Sequence, residues 1–140
     1  GDNLLNITNA YSAINNNGKI QSPEIIEKIE SFKKQPIWEN KSISKKILDL
    51  KINKKINKLL EKSVKEGTSK AASIKGKKIY GKTGTSDGNK DLWFIGSIDN
   101  LTTGIWIGYD DNKESELSSG NAAYLWKKFI SEIYKIPIKK

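Results

Sequence analysis

The sequence predicts an α+β domain in which a small antiparallel sheet, a meander, is packed by helices. Three observations carry this prediction. Strand-like segments follow one another at short intervals between residues 77 and 109, and apolar residues recur at helical spacing on both sides of them. The third is length, because 140 residues suffice for one hydrophobic core but not for two independent ones. We therefore treat residues 1–140 as a single unit.

Three strand-like segments form the centre of this prediction. Residues 77–80 run into a glycine, and residues 91–98 and 104–109 are rich in aromatic and β-branched side chains. Only residues 99–103 separate the last two segments, whereas a parallel return needs a crossover of about a dozen residues or more. The segments are therefore expected to pair as a three-stranded antiparallel meander.

Two predicted helices flank the meander. Apolar residues between Leu4 and Ile14 recur at helical spacing and are followed by the stop signal Asn15-Asn16-Asn17-Gly18. An apolar stripe from Ala122 to Ile133 predicts a C-terminal helix that covers one face of the sheet. We expect four large aromatic side chains in the core, namely Trp93, Phe94, Trp106 and Trp126.

The region between the first helix and the meander gives weaker signals. Residues 19–32 fit either a strand or a short helix, and we favour a strand; Pro36 then breaks the chain. From Ile43 an apolar stripe opposite lysines continues as far as Gly67, which predicts one long amphipathic helix or two with a break near Leu50. A basic amphipathic helix can lie on an anionic membrane, but this stripe lacks aromatic anchors, so we expect it to face the core.

The composition excludes several kinds of chemistry. Cysteine and histidine are absent, which removes disulfides, thiolate catalysis and the commonest metal ligands, and neither a metal nor a cofactor is implied. The net charge of +9 comes from lysine alone, whereas nucleic-acid readers use arginine for bidentate contacts, so we expect no nucleic-acid partner. No apolar run approaches the roughly 18 to 20 residues of a membrane span. Because methionine is absent, we expect a segment of a longer chain.

The run Gly81-Lys82-Thr83-Gly84-Thr85 is the candidate site. It follows the first strand of the meander and precedes residues 86–89, which have the composition of a turn. Its glycines leave the backbone open to a ligand, while Lys82 supplies positive charge and the hydroxyls of Thr83 and Thr85 donate hydrogen bonds. This combination predicts a site for an anion, and a carboxylate above all.

Residues 76–83 also match the phosphate-loop pattern G-x-x-x-x-G-K-T. A phosphate loop needs a strand before its first glycine and a helix that begins at the lysine and threonine, whose free amides hold the phosphate. Here the strand-like residues lie inside the would-be loop, and Gly84 and Gly88 follow where the helix should begin. We keep a P-loop-like nucleotide binder as an alternative and favour the carboxylate site.

The segments around this run resemble penicillin-binding proteins, the serine D,D-transpeptidases that cross-link peptidoglycan. The resemblance rests on residues 81–85, on Asp91-Leu92-Trp93-Phe94 and on residues 103–111, and the last two are similar to the bifunctional class A branch. The flanking residues 8–18, 67–68 and 120–126 resemble matching parts of the same domain. The resemblance covers nearly the whole chain. It implies that residues 1–140 are the C-terminal portion of a transpeptidase domain with a partial penicillin-binding/β-lactamase-like fold.

The same resemblance identifies what the sequence lacks. In the family the catalytic serine lies in an S-x-x-K motif before the K-T-G strand, and an S-x-N motif lies between them. Residues 31–34 fit the first pattern, but Pro36 prevents the helix that should carry them, and residues 42–45 are better explained by a helix N-cap at Ser42. Residues 119–121 fit S-x-N in the wrong order. The nucleophile is therefore expected to be absent, and the fragment alone to be inactive.

The resemblance implies a role for each residue of the candidate site. In the family, the serine attacks the penultimate D-Ala carbonyl of a stem peptide, expels the terminal D-Ala and passes the acyl group to an amine; β-lactams acylate the same serine. Lys82 would set the positive potential, and the hydroxyls of Thr83 and Thr85 would bind the carboxylate. Gly84 would let the substrate pair with the strand. The backbone N–H of Thr85 would form half of the oxyanion hole.

Partners and location follow from the same resemblance. It implies peptidoglycan stem peptides and β-lactams as ligands, and the missing N-terminal half of the domain as a packing partner. It also implies a protein anchored in the bacterial plasma membrane, with this segment on the extracytoplasmic side and not itself inserted, and in the class A branch a glycosyltransferase domain upstream. The alternative is a truncated, non-catalytic homologue that binds a muropeptide or a protein partner.

Overall fold

The computed structural model describes residues 2–137. Along the chain the elements are α1 (Leu4–Asn15), β1 (Lys19–Ile20), β2 (Lys28–Glu30), β3 (Pro36–Glu39), β4 (Lys45–Lys46), α2 (Leu50–Glu66), β5 (Ile79–Thr85), β6 (Asp91–Ile98), β7 (Leu101–Gly108) and α3 (Ser119–Ile133). Short 3-10 turns at Lys70–Ala72 and Asp87–Asn89 flank β5. The mixture of helices with an antiparallel sheet confirms the predicted fold class.

The central sheet is the predicted meander, with strand order β5-β6-β7 and antiparallel pairing throughout. The link between β6 and β7 is shorter than predicted. Leu101 already pairs with Ile98, so only residues 99 and 100 form the turn. Asp99 adopts a left-handed conformation there, with φ of 50°. Beyond it the hydroxyls of Ser97 and Thr102 lie 2.9 Å apart and join the two strands. The hairpin is therefore tight, and β7 begins three residues earlier than the aromatic pattern indicates.

Helices α1 and α3 pack on opposite faces of this sheet. Successive residues of a strand point to alternate faces, and Gly104 of β7 pairs with Ile95, the residue before Gly96. A Cβ atom at Gly104 would collide with Thr8 of α1, whereas one at Gly96 would lie 2.7 Å from the indole of Trp126 in α3. Helix α2 packs against β5. The sheet is thus covered on both faces, and α2 lies beside its first strand.

Helix α3 confirms the predicted C-terminal helix and anchors the core. Ala122, Trp126 and Ile130 are fully buried and lie one turn apart along it. Trp126 meets Phe94 edge to face, with ring centroids 5.3 Å apart. The expectation of a core position holds for these two rings but is wrong for Trp106, which is 38% exposed.

The predicted helix start at Ile43 is wrong, because α2 begins at Leu50 and its N-cap is Asp49. The carbonyl of Gly18 accepts the amides of Ile47 and Leu48, at 2.8 and 3.2 Å, and holds this stretch out of the helix. Strand β4 just before it pairs with β1. The proposed N-cap at Ser42 is wrong for the same reason.

The apolar stripe of α2 faces the core only in part. Val64 is buried near the helix end, whereas Ile52 and Leu59 are 50% and 69% exposed. Asn53 is fully buried instead, and its side-chain amide donates to the carbonyl of Ile14 at 2.9 Å. Within residues 2–137, no helix has the length and apolarity that crossing a membrane requires.

The favoured strand in residues 19–32 is right only for two short pieces, β1 and β2. Pro36 does not break the chain as expected but is the first residue of β3, which pairs with β2. This position suits proline because it has no N–H to give to a sheet. The β2–β3 hairpin exposes its apolar side chains, including Ile29 and Phe32.

Gly18 provides a stability prediction. It has φ of +81°, and a Cβ atom there would lie 2.5 Å from the carbonyl oxygen of Leu48. We expect Gly18→Ala to lower the free energy of unfolding by about 2–4 kcal/mol, from left-handed strain plus the clash. Gly76 is the matched control, since its φ is +77° but no atom lies within 4 Å of the added Cβ. Gly76→Ala should cost only about 1 kcal/mol; equal losses in urea unfolding would contradict the role of Leu48.

Candidate functional site

The candidate site lies on the free edge of β5. β6 occupies one edge of this strand, and in the described part of the chain no strand pairs with the other. The Ser86 N–H, on the β6 side, donates to the carbonyl of Asp91 at 3.0 Å, whereas the Thr83 N–H donates away from the sheet, to Ser69 Oγ at 3.2 Å. Amides along an antiparallel strand alternate between its edges. The N–H of Thr85, two residues after Thr83, therefore points to the free edge.

The ammonium group of Lys82 lies over this edge. Its Nζ donates to the carbonyl oxygen of Thr83 at 2.8 Å and lies 3.5 Å from the hydroxyl oxygens of Thr68 and Thr83. Lys82 is exposed, and among residues 2–137 no carboxylate approaches it within ion-pair distance. Its positive charge is therefore held in place by neutral oxygens and is free to attract an anion.

The two threonines of the run have different environments. Thr83 is only 7% exposed, and its hydroxyl donates to Thr68 Oγ1 at 3.0 Å. Thr85 is exposed at the end of the strand. The structure thus brings Lys82, Thr83, Gly84 and Thr85 to one edge, but they lie inside β5 and do not follow the strand as predicted.

A cavity of about 330 Å³ opens beside this edge on the face that α1 covers. Its walls are formed by Ile7, Tyr11, Lys82, Thr83, Gly84, Thr85, Ser86, Trp93 and Ile95. Burial raises the pKa of the Tyr11 phenol, which remains neutral at physiological pH. Trp93 was expected in the core but lines this cavity. A Cβ atom added at Gly84 would lie 3.3 Å from the Cβ atom of Trp93. A glycine at residue 84 keeps the cavity open.

Sequence reasoning missed two hydroxyl residues of this site, Thr68 and Ser69. Thr68 and Ser69 precede the start of β5 by 11 and 10 residues, and the sequence pointed to Thr68 only within residues 67–68, which resemble a matching part of the transpeptidase domain. The turn at Lys70–Ala72 folds the segment back against β5. The only signal in the sequence was a pair of hydroxyl residues directly after the glycine that ends a helix.

The competing motifs do not form sites in this structure. Ser31 lies at the β2–β3 turn, where its carbonyl accepts the amide of Lys34 at 2.9 Å. Ser118 is the N-cap of α3, and its amide donates to Asn121 Oδ1 at 2.9 Å, which explains the residues that fit S-x-N. The phosphate-loop reading is wrong, because Thr83 lies inside a strand and not at the start of a helix.

Acidic side chains near the meander serve local structure. Asp91 Oδ1 accepts the indole N–H of Trp106 at 2.9 Å, and Asp111 pairs with Lys113. No group of three or more acidic residues in the range 2–137 is arranged to hold a metal ion. The chemistry visible at the β5 edge is that of a cation, hydroxyls and backbone amides.

Helices cover both faces of an antiparallel sheet, and the outer edge of β5 is left open in the described residues. The family described as "Penicillin binding protein transpeptidase domain" matches residues 3–129. The chain belongs to this family of penicillin-binding proteins, as its motifs predicted.

Individual relatives agree with this assignment. Penicillin-binding protein 4 of Bacillus subtilis (strain 168) is 31% identical over 132 residues, which cover 93% of this chain and 21% of the relative. The structure of PonA1 from Mycobacterium tuberculosis has a TM-score of 0.82 at 18% identity and covers 98% of this chain and 40% of that one. An imipenem acyl-enzyme complex of penicillin-binding protein A from M. tuberculosis has a TM-score of 0.73 at 17% identity, with 89% and 29% covered. The chain spans about a fifth of the length of its curated relative.

Proposed function

We propose that this chain is the substrate-binding, C-terminal part of a serine-type D,D-transpeptidase domain that cross-links peptidoglycan stem peptides. One observation carries the proposal: the free edge of β5 presents the Lys82 ammonium, without an acidic partner in the described residues, beside the outward N–H of Thr85. A stem peptide ends in a carboxylate and has an extended backbone. Both features are complementary to this edge.

The proposed mechanism uses the edge in two ways. A stem peptide adds to β5 as a further strand, and its terminal carboxylate binds Lys82 and the threonine hydroxyls. The scissile carbonyl then lies against the Thr85 N–H, which forms half of an oxyanion hole; the nucleophile's own N–H supplies the other half. One such donor contributes roughly 10²- to 10³-fold in rate, so this segment matters greatly without containing the nucleophile.

The nucleophile is proposed to lie in the missing N-terminal half of the domain, in an S-x-x-K helix followed by S-x-N. The exposed side chains of Ile52 and Leu59 on α2 offer an apolar surface on which that half packs. The resemblance of residues 91–94 and 103–111 to the class A branch supports a plasma-membrane anchor, an extracytoplasmic location and an upstream glycosyltransferase domain for the longer protein. β-Lactams are its proposed second class of ligand, as the imipenem complex of the M. tuberculosis relative illustrates.

Covalent labelling with a fluorescent penicillin tests the proposal. We expect the 140-residue chain alone to form no adduct, because Ser31 and Ser42 lie outside helices and so do not have a lysine one helical turn away. The longer protein, with its upstream serine, should be labelled. Labelling of the isolated chain at Ser31 or Ser42 would overturn the missing-nucleophile proposal.

The second candidate is a non-catalytic homologue that uses the same edge to bind a muropeptide or a protein partner. The open edge and the free cation serve that function equally well. The two candidates differ only in the upstream sequence. A longer protein without an S-x-x-K helix, unlabelled by penicillin but still binding D-alanyl peptides, would establish the second.

A further inference from the structure

A chain of serine hydroxyls, centred on the buried Ser69, connects α2 to the outer edge of β5. Ser69 is fully buried, and its Oγ accepts both the Thr83 N–H at 3.2 Å and the hydroxyl of Ser63 at 2.9 Å. The amide of Ser69 also donates to the carbonyl of Ser63, at 3.2 Å. Ser69 is thus held to the helix end by its backbone and its side chain, and it holds the strand in turn.

The first consequence concerns the residue before Ser69. Thr68 is exposed, and its Oγ1 accepts the hydroxyl proton of Thr83 at 3.0 Å, with the Lys82 ammonium 3.5 Å away. An oxygen that accepts these contacts keeps its own proton for another partner. In this arrangement the exposed hydroxyl donor beside the ammonium is Thr68, whereas Thr83 has committed its proton and is almost fully buried.

The second consequence concerns the register of a bound peptide. A strand that pairs with the free edge of β5 needs the outward amides, and Ser69 already occupies the one at Thr83. The outward amide at Thr85 is not capped by this serine. The Ser63–Ser69 pair therefore directs strand addition toward the end of β5 at which Thr85 lies.

We propose that Thr68 is a further carboxylate-binding residue and that the Ser63–Ser69 pair positions it against Lys82. This proposal rests on the proposed function, because it adds the exposed hydroxyl of Thr68 to the same anion site and lets the buried hydroxyl of Thr83 act through it. Thr68 binds the ligand directly. Ser63 and Ser69 act through it and are positioning residues.

The test measures how strongly the 140-residue chain prefers a carboxylate. The ¹⁵N-labelled chain is titrated with acetyl-D-Ala-D-Ala and, separately, with its C-terminal amide, and the ratio of the two dissociation constants is determined by NMR. Thr68→Val should lower the preference for the acid about tenfold, the effect of losing one hydrogen bond to a charged group. Thr68→Ser keeps the hydroxyl and should restore the preference. A wild-type ratio in Thr68→Val would overturn the assignment of Thr68.

The positioning role has its own readout. Ser69→Ala should lower the same preference and also speed hydrogen exchange at the Thr83 amide, and Ser63→Ala should do both to a smaller degree. Ser73→Ala is the control, since that serine follows the same turn but does not bond to β5 through its side chain. An unchanged preference together with a protected Thr83 amide in Ser69→Ala would overturn the positioning role.

Lys82→Ala, measured in parallel, separates the two levels of proposal. If it removes the preference while Thr68→Val and Ser69→Ala retain it, the inference about the hydroxyls is wrong and the proposed function stands. If the wild-type chain itself does not prefer the acid over the amide, the carboxylate site fails and both proposals fall.

Discussion

Replacement of Lys82 by alanine is expected to slow acylation of the longer protein by a β-lactam about 10- to 100-fold, the cost of one charge-assisted contact. The reason is the isolation of its ammonium group, which is held by the Thr83 carbonyl and faces no carboxylate in residues 2–137. In the Lys82→Ala variant, a ligand carboxylate therefore loses the positive charge that it would otherwise contact. The second-order rate constant for fluorescent penicillin measures this directly, and the thermal unfolding midpoint should stay close to that of the wild type.

Two further variants sharpen this prediction. Thr85→Val removes an exposed hydroxyl but keeps the backbone N–H, so its effect should be smaller, about tenfold. Lys75→Ala is the matched control, because Lys75 is equally a solvent-exposed lysine but lies before β5, away from its open edge. Loss of activity in Lys75→Ala to the same extent would mean that net positive charge, not the Lys82 position, attracts the ligand. Wild-type acylation in Lys82→Ala would remove the proposed site.

The meander could be predicted from sequence because its signals are local. Aromatic and β-branched runs lie next to one another, and links of a few residues allow only antiparallel neighbours. Helix α3 was equally predictable from the sequence, since Ala122, Trp126 and Ile130 recur at a spacing of about one helical turn. These elements form the sheet and one of its covers. The pattern of these elements therefore predicts which strand lies at the edge of the sheet.

The start of α2 could not be predicted, because distant contacts decide it. Residues 43–48 continue the apolar stripe of α2. The carbonyl of Gly18, however, accepts hydrogen bonds from the amides of Ile47 and Leu48, which lie about 30 residues further along the chain. The roles of Thr68 and Ser69 could not be predicted for a similar reason. Both residues contact Thr83 across a turn whose conformation no local sequence pattern specifies. Sequence periodicity reports which face is apolar. It does not report which polar group meets which across the fold.

Trp126→Ala is expected to cost about 3–5 kcal/mol in the free energy of unfolding, the usual range for truncation of a large buried aromatic side chain. The indole is fully buried and packs edge to face on Phe94. Its Nε1 also donates to Thr103 Oγ1 at 2.6 Å, so the variant loses a hydrogen bond from α3 to β7 as well. Since domains of this size are stable by only about 5–15 kcal/mol, urea unfolding should show a greatly lowered midpoint.

Trp106 provides the comparison that makes this prediction specific. It too is a tryptophan with a bonded indole nitrogen, 2.9 Å from Asp91 Oδ1, but it is 38% exposed. Trp106→Ala should cost about 1 kcal/mol, in the range of a partly exposed side chain. If Trp126→Ala proves too unstable to measure, Trp126→Phe keeps part of the ring and should still be less stable than Trp106→Ala. If the two alanine variants lost equal amounts of unfolding free energy, the buried indole of Trp126 would contribute no more than the partly exposed indole of Trp106. That result would contradict the conclusion that Trp126 anchors α3 to the sheet.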